Sequence, residues 1–316
     1  MHNNNYLKLI FLISKVLINI YFIGGVILNF SYKLGIDIGS TTIKLVVLDN
    51  DNQVVYKKYM RHLSEIYKSM HDNMILLSDT LKNHRFTCAI TGSAGMGMAN
   101  NLNMPFVQEV IACSKAVKNW IPQTDVAVEL GGEDAKITYF GSAPEQRMNG
   151  VCAGGTGSFI DHMASLLNTD AMGLNELAQK GTQIYTIASR CGVFAKTDVQ
   201  ALLNDGVSKA DIALSILQAV VNQTIGNLAQ GRPLEGNIAF LGGPLYFLTQ
   251  LKERFIKTLK LTDEHIVNVD DGCYFVAMGC ALSDNAIEMT YDELMQRLNN
   301  CSKSSTETES VAFTLL

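Results

Sequence analysis

The chain has 316 residues, of which 47% are hydrophobic and 17% are charged. Globular proteins usually have about 25% charged residues, so this composition excludes a disordered or fibrous chain, and the length allows about two domains. The net charge of −5 comes without a block of like charges, so nothing indicates a nucleic-acid partner. The seven cysteines form no dense pattern, which favours a reducing compartment, and we expect a cytoplasmic location.

The two ends of the chain differ in character from the rest. Residues 6–30 are apolar and long enough to cross a membrane, which takes about 20 residues. Three interpretations of residues 1–31 stay open: an over-extended gene start, a membrane anchor and a part of the fold. A signal peptide is disfavoured because the segment has no basic start and no small-residue cleavage site. The polar run at 302–310 predicts a linker or tail, which suggests that the natural protein continues.

Three short strands are predicted first, at 33–38, 43–48 and 53–59. Turn residues separate them, and such short connections predict an antiparallel meander. A long amphipathic helix should follow, and after it a short strand at 88–91. The hydrophobic residues at helical spacing are Ile66, Met70, Met74, Leu77 and Leu81.

The second half of the chain repeats the first hairpin. Residues 36–39 (Ile-Asp-Ile-Gly) recur as 128–131 (Val-Glu-Leu-Gly), and residues 44–45 recur as 136–137, each 92 residues later. In both copies a carboxylate ends a buried strand, a glycine turn follows, and a lysine lies five residues after the glycine. The joint match of acid, glycine and lysine indicates a duplication. We therefore predict an α/β fold of two lobes that share one topology and enclose a cleft.

The expected domains follow from this repeat. A late strand at 238–241, after a long helix at about 210–229, should end in a third glycine turn at Gly242 and Gly243. Ligands of α/β proteins bind at the carboxyl ends of such strands, although an ordinary loop has the same pattern. In chain order we expect an apolar extension (1–31), a first lobe (32–128), a second lobe (129–271), C-terminal helices that return to the first lobe (272–301) and a polar tail (302–316).

The glycine turns predict a site for the phosphate groups of a nucleotide. The chain has neither a P-loop nor the Rossmann glycine fingerprint. A turn of small residues presents backbone N–H groups to phosphate oxygens, and hydroxyl side chains add donors. Asp37 and Glu129 at the strand ends can hold Mg²⁺ through its waters. We expect the nucleotide to contact Gly39, Ser40, Thr41, Thr42, Gly131, Gly132, Gly155, Gly242 and Gly243.

The order of these motifs resembles that of the actin–hexokinase–chaperone ATPase superfamily. Within it, the chain is similar to the BadF/BadG/BcrA/BcrD-type ATPases, which activate 2-hydroxyacyl-CoA dehydratases and benzoyl-CoA reductases. The resemblance covers about 32–284, and the motifs look closest to the N-terminal module of large multidomain activases. Four segments carry it: GIDIGSTT (35–42), CAGGTGSF (152–159), SRCGVFA (189–195) and FLGGP (240–244).

The resemblance implies a duplicated actin-like fold and Mg²⁺-dependent ATP hydrolysis coupled to electron transfer. The implied acceptor is a dehydratase, a reductase or a fused downstream module, and the implied donor is reduced ferredoxin or flavodoxin. Cys152 and Cys191 are implied as ligands of one 4Fe–4S cluster that bridges a homodimer, since such a cluster takes four thiolates. By pattern alone an isolated cysteine is more often a small core residue. Glu133 and Asp134 are the candidates to orient the attacking water, and capping of the turn is their alternative role.

Two other functions fit the same motifs. A sugar or carboxylate kinase of the superfamily needs a substrate hydroxyl and a base but no metal-binding cysteines. An ATP-gated binding module would not hydrolyse ATP. The other cysteines and the six histidines show no metal-binding spacing, so we expect structural or surface roles for them.

Overall fold

Two five-stranded sheets organise the protein, and helices cover them. The computed structural model describes residues 32–149, 154–188 and 191–301. The strands are β1 (Tyr32–Ile38), β2 (Thr42–Leu48), β3 (Val54–Arg61), β4 (Arg85–Thr91), β5 (Val126–Leu130), β6 (Ala135–Tyr139), β7 (Glu145–Met148), β8 (Ile238–Leu241), β9 (Ile266–Val267) and β10 (Ile287–Thr290).

The helices fall mainly between the fourth and fifth strands and between the seventh and ninth. They are α1 (Ile66–Leu76), α2 (Ser78–Leu81), α3 (Gly95–Asn101), α4 (Glu109–Trp120), α5 (Gly157–Leu166), α6 (Ala171–Gln179), α7 (Gly192–Asn204), α8 (Lys209–Thr224), α9 (Gly243–Phe247), α10 (Thr249–Leu259) and α11 (Phe275–Ala281). A π-helical turn (Ile225–Ala229) prolongs α8, a 3₁₀ turn (Asp263–His265) precedes β9, and residues 291–301 are helical.

The two sheets repeat one arrangement, with strand orders β10-β4-β1-β2-β3 and β7-β6-β5-β8-β9. In each, three strands form an antiparallel meander, and a later strand lies parallel to the first of them. The register aligns the repeated residues as well. Asp37 pairs with Lys44 in the first sheet, and Glu129 pairs with Lys136 in the second. The predicted duplicated α/β fold is therefore confirmed.

A shared hydrophobic core between the sheets holds the two halves together. It contains small or β-branched residues from both sheets, such as Val46 of β2 and Ala239 of β8. Helix α11 packs into this core closely because it meets its neighbours at glycines. A Cβ on Gly35 of β1 would lie 1.9 Å from the Ala277 carbonyl oxygen, so only glycine fits there. Helix α11 thus packs against β1, and the assignment of residues 272–301 as a unit that returns to the first lobe stays a prediction.

Three details differ from the sequence-based expectation. The helix predicted from Ile66 to Leu81 is divided at Leu77. The Leu77 N–H donates to the carbonyl oxygens of both Asn73 and Met74, so the first helix ends in a tighter turn and a second helix begins. Leu77 and Leu81 are both buried. Strand β10 was not predicted within 272–301. The expected lobe boundary at 128/129 falls inside β5, and the division into lobes at that point stays a prediction.

The long helix predicted at 210–229 is a core element of the second half. Among the described residues, Lys209–Ala229 is the one helical stretch long and apolar enough to cross a membrane, and most of it is buried inside the protein. It packs against β-strands and helices of the second sheet's own core. Residues 6–30, for which a membrane anchor is one of three open interpretations, lie outside the described residues.

Candidate active site

The turn after β1 and the turn after β5 face each other across a cleft between the sheets. They touch where Thr41 meets Gly132, because a Cβ on Gly132 would lie 2.1 Å from the Thr41 hydroxyl oxygen. A side chain at position 132 would therefore push the two turns apart. The two hairpins enclose a common space, as the repeat predicts.

This cleft brings together most of the residues predicted from sequence for the nucleotide site. Those that line it are Asp37, Gly39, Ser40, Thr41, Thr42, Glu129, Gly131, Gly132, Asp134, Gly242 and Gly243. Two of the residues predicted for the nucleotide and the attacking water do not line it. Glu133 is exposed, and Gly155 is buried so close to Gln223 that a Cβ on the glycine would lie 2.8 Å from the Gln223 Cγ.

The first hairpin contributes a buried ion pair. Lys44 Nζ lies 3.1 Å from the Asp37 carboxylate, and both side chains are largely buried. Burial opposes the charged form of Lys44, but attraction to Asp37 and Tyr59 outweighs it and raises the lysine pKa above its usual value. The Lys44 ammonium also lies 5.7 Å from the centre of the Tyr59 ring. Asp37 is thus fixed at the end of β1 and directed into the cleft.

The second hairpin places one lysine among three carboxylates. Lys136 Nζ lies 2.7 Å from Asp134 and 3.5 Å from Glu129, and it also contacts Glu109. These charges raise the pKa of Lys136 well above its usual value although burial opposes them. Burial, against the attraction of Lys136, raises the pKa of Glu129 to about 7. Asp134, a predicted water-orienting residue, is engaged in this cluster, and its predicted role stays a prediction.

Glu109 is a cleft residue that the sequence analysis missed. It is the first residue of α4, and burial raises the pKa of its carboxyl despite the nearby Lys136. No hairpin motif contains it. Its one sequence signal is an acid that opens the helix before β5, which many helices show because acids stabilise helix N-termini.

The charges of the cleft do not balance. Four carboxylates line it, from Asp37, Glu109, Glu129 and Asp134, against two ammonium groups, from Lys44 and Lys136. A polyphosphate entering this excess of negative charge would be repelled unless a divalent cation came with it. No three His, Cys, Asp or Glu side chains within the described ranges are grouped to hold a metal ion. A Mg²⁺ ion here would keep most of its waters and bind through them.

An apolar pocket continues from the same turns, and Thr41, Thr42, Gly132 and Gly243 line both spaces. Its walls are apolar, and a salt bridge of 2.8 Å between Arg61 and Asp161 lies on its rim. Such a surface suits the base and sugar of a nucleotide whose phosphates lie at the turns. The wall residues are Ile160, Met172, Pro244, Phe247 and Leu248.

The described cysteines differ sharply in exposure. Cys191 is the N-cap residue of α7 and is partly exposed, whereas the other described cysteines are buried. Burial raises the pKa of Cys273 to about 12 and that of Cys88, Cys113 and Cys280 as well, so these thiols stay protonated. Cys273 is buried but borders the cleft. Cys152 lies outside the described residues.

Comparison with known proteins identifies the family. The BadF/BadG/BcrA/BcrD ATPase family model matches residues 34–282, most of the chain. The chain belongs to this family. Because the family is one of ATPases, ATP hydrolysis is the activity of this protein.

The relatives of this chain include activators of acyl-CoA dehydratases. The (R)-2-hydroxyglutaryl-CoA dehydratase activating ATPase of Acidaminococcus fermentans is 29% identical over 225 residues, which cover 67% of this chain and 82% of that protein. The crystal structure of component A of that dehydratase superposes with a TM-score of 0.66 and 25% identity, covering 84% of this chain and 99% of its own.

A second solved structure shares the fold. The activator of the 2-hydroxyisocaproyl-CoA dehydratase from Clostridium difficile, with bound ADPNP, has a TM-score of 0.66 and 22% identity, and the match covers 87% of this chain and 97% of that one. The family member described here therefore has the actin-like ATPase fold that its motifs predict.

The raised pKa of Glu129 predicts a pH-dependent gain in stability from the substitution Glu129→Gln. A carboxyl with a native pKa of about 7, above its ordinary 4.5, contributes stability that is present below pH 4.5 and lost as the pH rises through 7. Glutamine stays neutral, so the variant should exceed the parent at pH 8 by about 1–3 kcal/mol and match it near pH 5.

Thermal unfolding at both pH values, without nucleotide or divalent cations, measures this difference. Glu133→Gln, in the same turn but with an exposed side chain, is the matched control. A Glu129→Gln protein that loses stability equally at pH 5 and pH 8 would contradict the prediction.

Proposed function

We propose that the chain is an ATP-hydrolysing iron–sulfur activator that passes a low-potential electron to an acyl-CoA dehydratase-type partner or to a fused downstream module. The observation that carries the ATPase part is the pair of acidic hairpins that meet at Thr41 and Gly132. The relatives named above support the activator part, since they are activators of 2-hydroxyacyl-CoA dehydratases. Reduced ferredoxin or flavodoxin is the proposed donor.

The nucleotide is held by both hairpins in this proposal. Backbone N–H groups of the two turns and the hydroxyls of Ser40, Thr41 and Thr42 bind the phosphates. Asp37 and Glu129 bind the waters of a Mg²⁺ ion, which offsets the excess negative charge of the cleft and of the triphosphate. The apolar pocket holds the nucleoside. Phosphoryl transfer depends mainly on such positioning and charge neutralisation.

The attacking water is oriented from the second-hairpin side of the cleft. Glu109 and Asp134 both contact Lys136 and line the cleft, so their carboxylates are fixed in direction. A carboxyl with a raised pKa is also the better proton acceptor, which favours Glu109. Glu133 is less suited because its side chain is exposed.

Cys191 fits the role of a cluster ligand. It is a partly exposed thiol at a helix N-terminus, where partial positive charge stabilises a thiolate. The next residues support a protein–protein contact there, since Val193 is 72% exposed and Phe194 is 66% exposed. Cys152 and Cys191 give two thiolates per chain, so a 4Fe–4S cluster, which supplies one-electron transfer at low potential, requires two chains in a symmetric dimer.

Two hydrogen bonds link the turn of the second hairpin directly to the start of α5. The Gly157 N–H donates to the Gly131 carbonyl at 3.0 Å, and the Ser158 N–H donates to the Gly132 carbonyl at 2.7 Å. Helix α5 begins five residues after Cys152. A shift of the second hairpin on ATP binding or hydrolysis would therefore move the segment that leads from Cys152, which is how we propose that the two chemistries are coupled.

Asp37→Asn should abolish ATP hydrolysis in a folded protein. Loss of the carboxylate removes one of the two groups that hold Mg²⁺, so we expect kcat to fall about 100-fold or more. Phosphate release from Mg²⁺-ATP without any added metabolite measures this rate and separates an ATPase from a small-molecule kinase. Asp51→Asn, exposed in the β2–β3 turn, is the matched control. Hydrolysis at the parent rate by Asp37→Asn would refute the assigned role.

Cys152→Ser and Cys191→Ser should each lose iron and dimerise poorly while they still bind ATP. The experiment reconstitutes each variant without oxygen and measures iron, sulfide, absorbance and molar mass. Cys301→Ser, at a buried thiol that bonds the Asn101 carbonyl, is the control and should retain iron. If either variant binds iron and dimerises like the parent, these cysteines are not the ligands and the kinase alternative gains support.

A further inference from the structure

A single buried histidine holds the first phosphate-binding turn from behind. His62 follows the last residue of β3 and is only 5% exposed. Its backbone N–H donates to the Thr41 carbonyl at 3.2 Å, and its Nε2 lies 3.1 Å from the Gly39 carbonyl oxygen. One residue therefore contacts two peptide groups of the four-residue turn.

The hydrogen bonds also define the state of the ring. The Ser64 N–H can only donate, and it lies 3.1 Å from Nδ1 of His62, so Nδ1 is the acceptor. The proton of the neutral imidazole is then on Nε2, which donates to Gly39. Both ring nitrogens are thus used within the protein.

These contacts set the direction of the amides in the turn. In a trans peptide the C=O and the following N–H point in opposite directions. Because the Gly39 and Thr41 oxygens face His62, the N–H groups of Ser40 and Thr42 face away from it. Within the described ranges, the Ser40 N–H donates no hydrogen bond to the protein, and both Ser40 and Thr42 line the cleft.

The backbone beside the histidine is strained. Leu63 and Ser64 have φ angles of 48° and 66°, two consecutive non-glycine residues in the left-handed region. Leu63 is 81% exposed, so burial of its side chain does not explain the conformation. The bonds from Ser64 to the imidazole and from the Glu65 N–H to the His62 carbonyl hold the strained turn in place.

We propose that His62 is a positioning residue of the phosphate site, which orients the first hairpin so that the Ser40 N–H faces the nucleotide. This inference rests on the proposed function of the cleft as an ATP site. His62 does not touch the nucleotide, and it acts through the carbonyl groups of Gly39 and Thr41. The strained turn at 63–64 is the structural requirement for placing the imidazole there.

Two isosteric substitutions test the two hydrogen bonds of the imidazole separately. Glutamine can place its Nε2 near the position of the histidine Nε2 and keep the bond to Gly39, whereas asparagine can keep only the bond from Ser64. His62→Ala keeps neither. His84→Gln is the matched control, because the His84 ring of the parent lies against Tyr32 and outside the cleft.

Binding of Mg²⁺-ADPNP and of adenosine by the full chain is measured by calorimetry. His62→Ala and His62→Asn should bind Mg²⁺-ADPNP about tenfold more weakly, as the loss of a hydrogen bond to the turn predicts, with unchanged affinity for adenosine. His62→Gln should remain close to the parent. Equal affinities of the asparagine and glutamine variants, or equal losses for both ligands, would overturn the proposal.

Amide hydrogen exchange of the apo protein tests the positioning independently of nucleotide binding. Exchange in His62→Ala should accelerate at 39–42 and 62–66 and stay unchanged elsewhere. Uniform acceleration over the chain would assign His62 a general structural role and overturn the proposal. If the parent bound no nucleotide, the proposed function would fail, while the exchange pattern of the glutamine and asparagine variants would still decide whether His62 orders the turn.

Discussion

Two acidic hairpins can share one cleft here because a glycine, which has no side chain, lies at the point where they touch. Gly132 lets the Thr41 hydroxyl approach the backbone of the second turn, and the carboxylates of both strand ends then lie in the same space. Lys44 and Lys136 compensate only half of the buried negative charge. The uncompensated negative charge adds to the effect of burial and raises the pKa of Glu129 further. It would also repel a triphosphate that entered the cleft without a divalent cation.

The same contact connects the cleft with the remainder of the second half. The turn that touches Thr41 accepts hydrogen bonds from the first residues of α5, and α5 also supplies a wall of the apolar pocket. The second turn of the cleft is therefore connected directly to the start of α5. On the other side, His62 and the strained turn after β3 support the first hairpin. Each hairpin thus has its own support outside the glycine motifs of the cleft.

The sequence predicted those parts of the site that local pattern encodes. The 92-residue repeat placed Asp37 and Glu129 at equivalent strand ends, and the register of both sheets agrees. Glu109 and His62 were missed because their roles depend on tertiary contacts with Lys136 and Gly39, which no local spacing records. Strand β10 was missed because its pairing with β4 is long-range and only one of its four residues is buried.

We expect the phosphates of the nucleotide to bind between the two hairpins. A crystal structure of the full chain with Mg²⁺ and ADPNP tests this expectation most directly. We expect the β- and γ-phosphates between the turns that contain Thr41 and Gly132, the waters of the metal on Asp37 and Glu129, and the adenine beside Phe247. Phosphates bound outside this cleft, or a metal held by neither carboxylate, would contradict it.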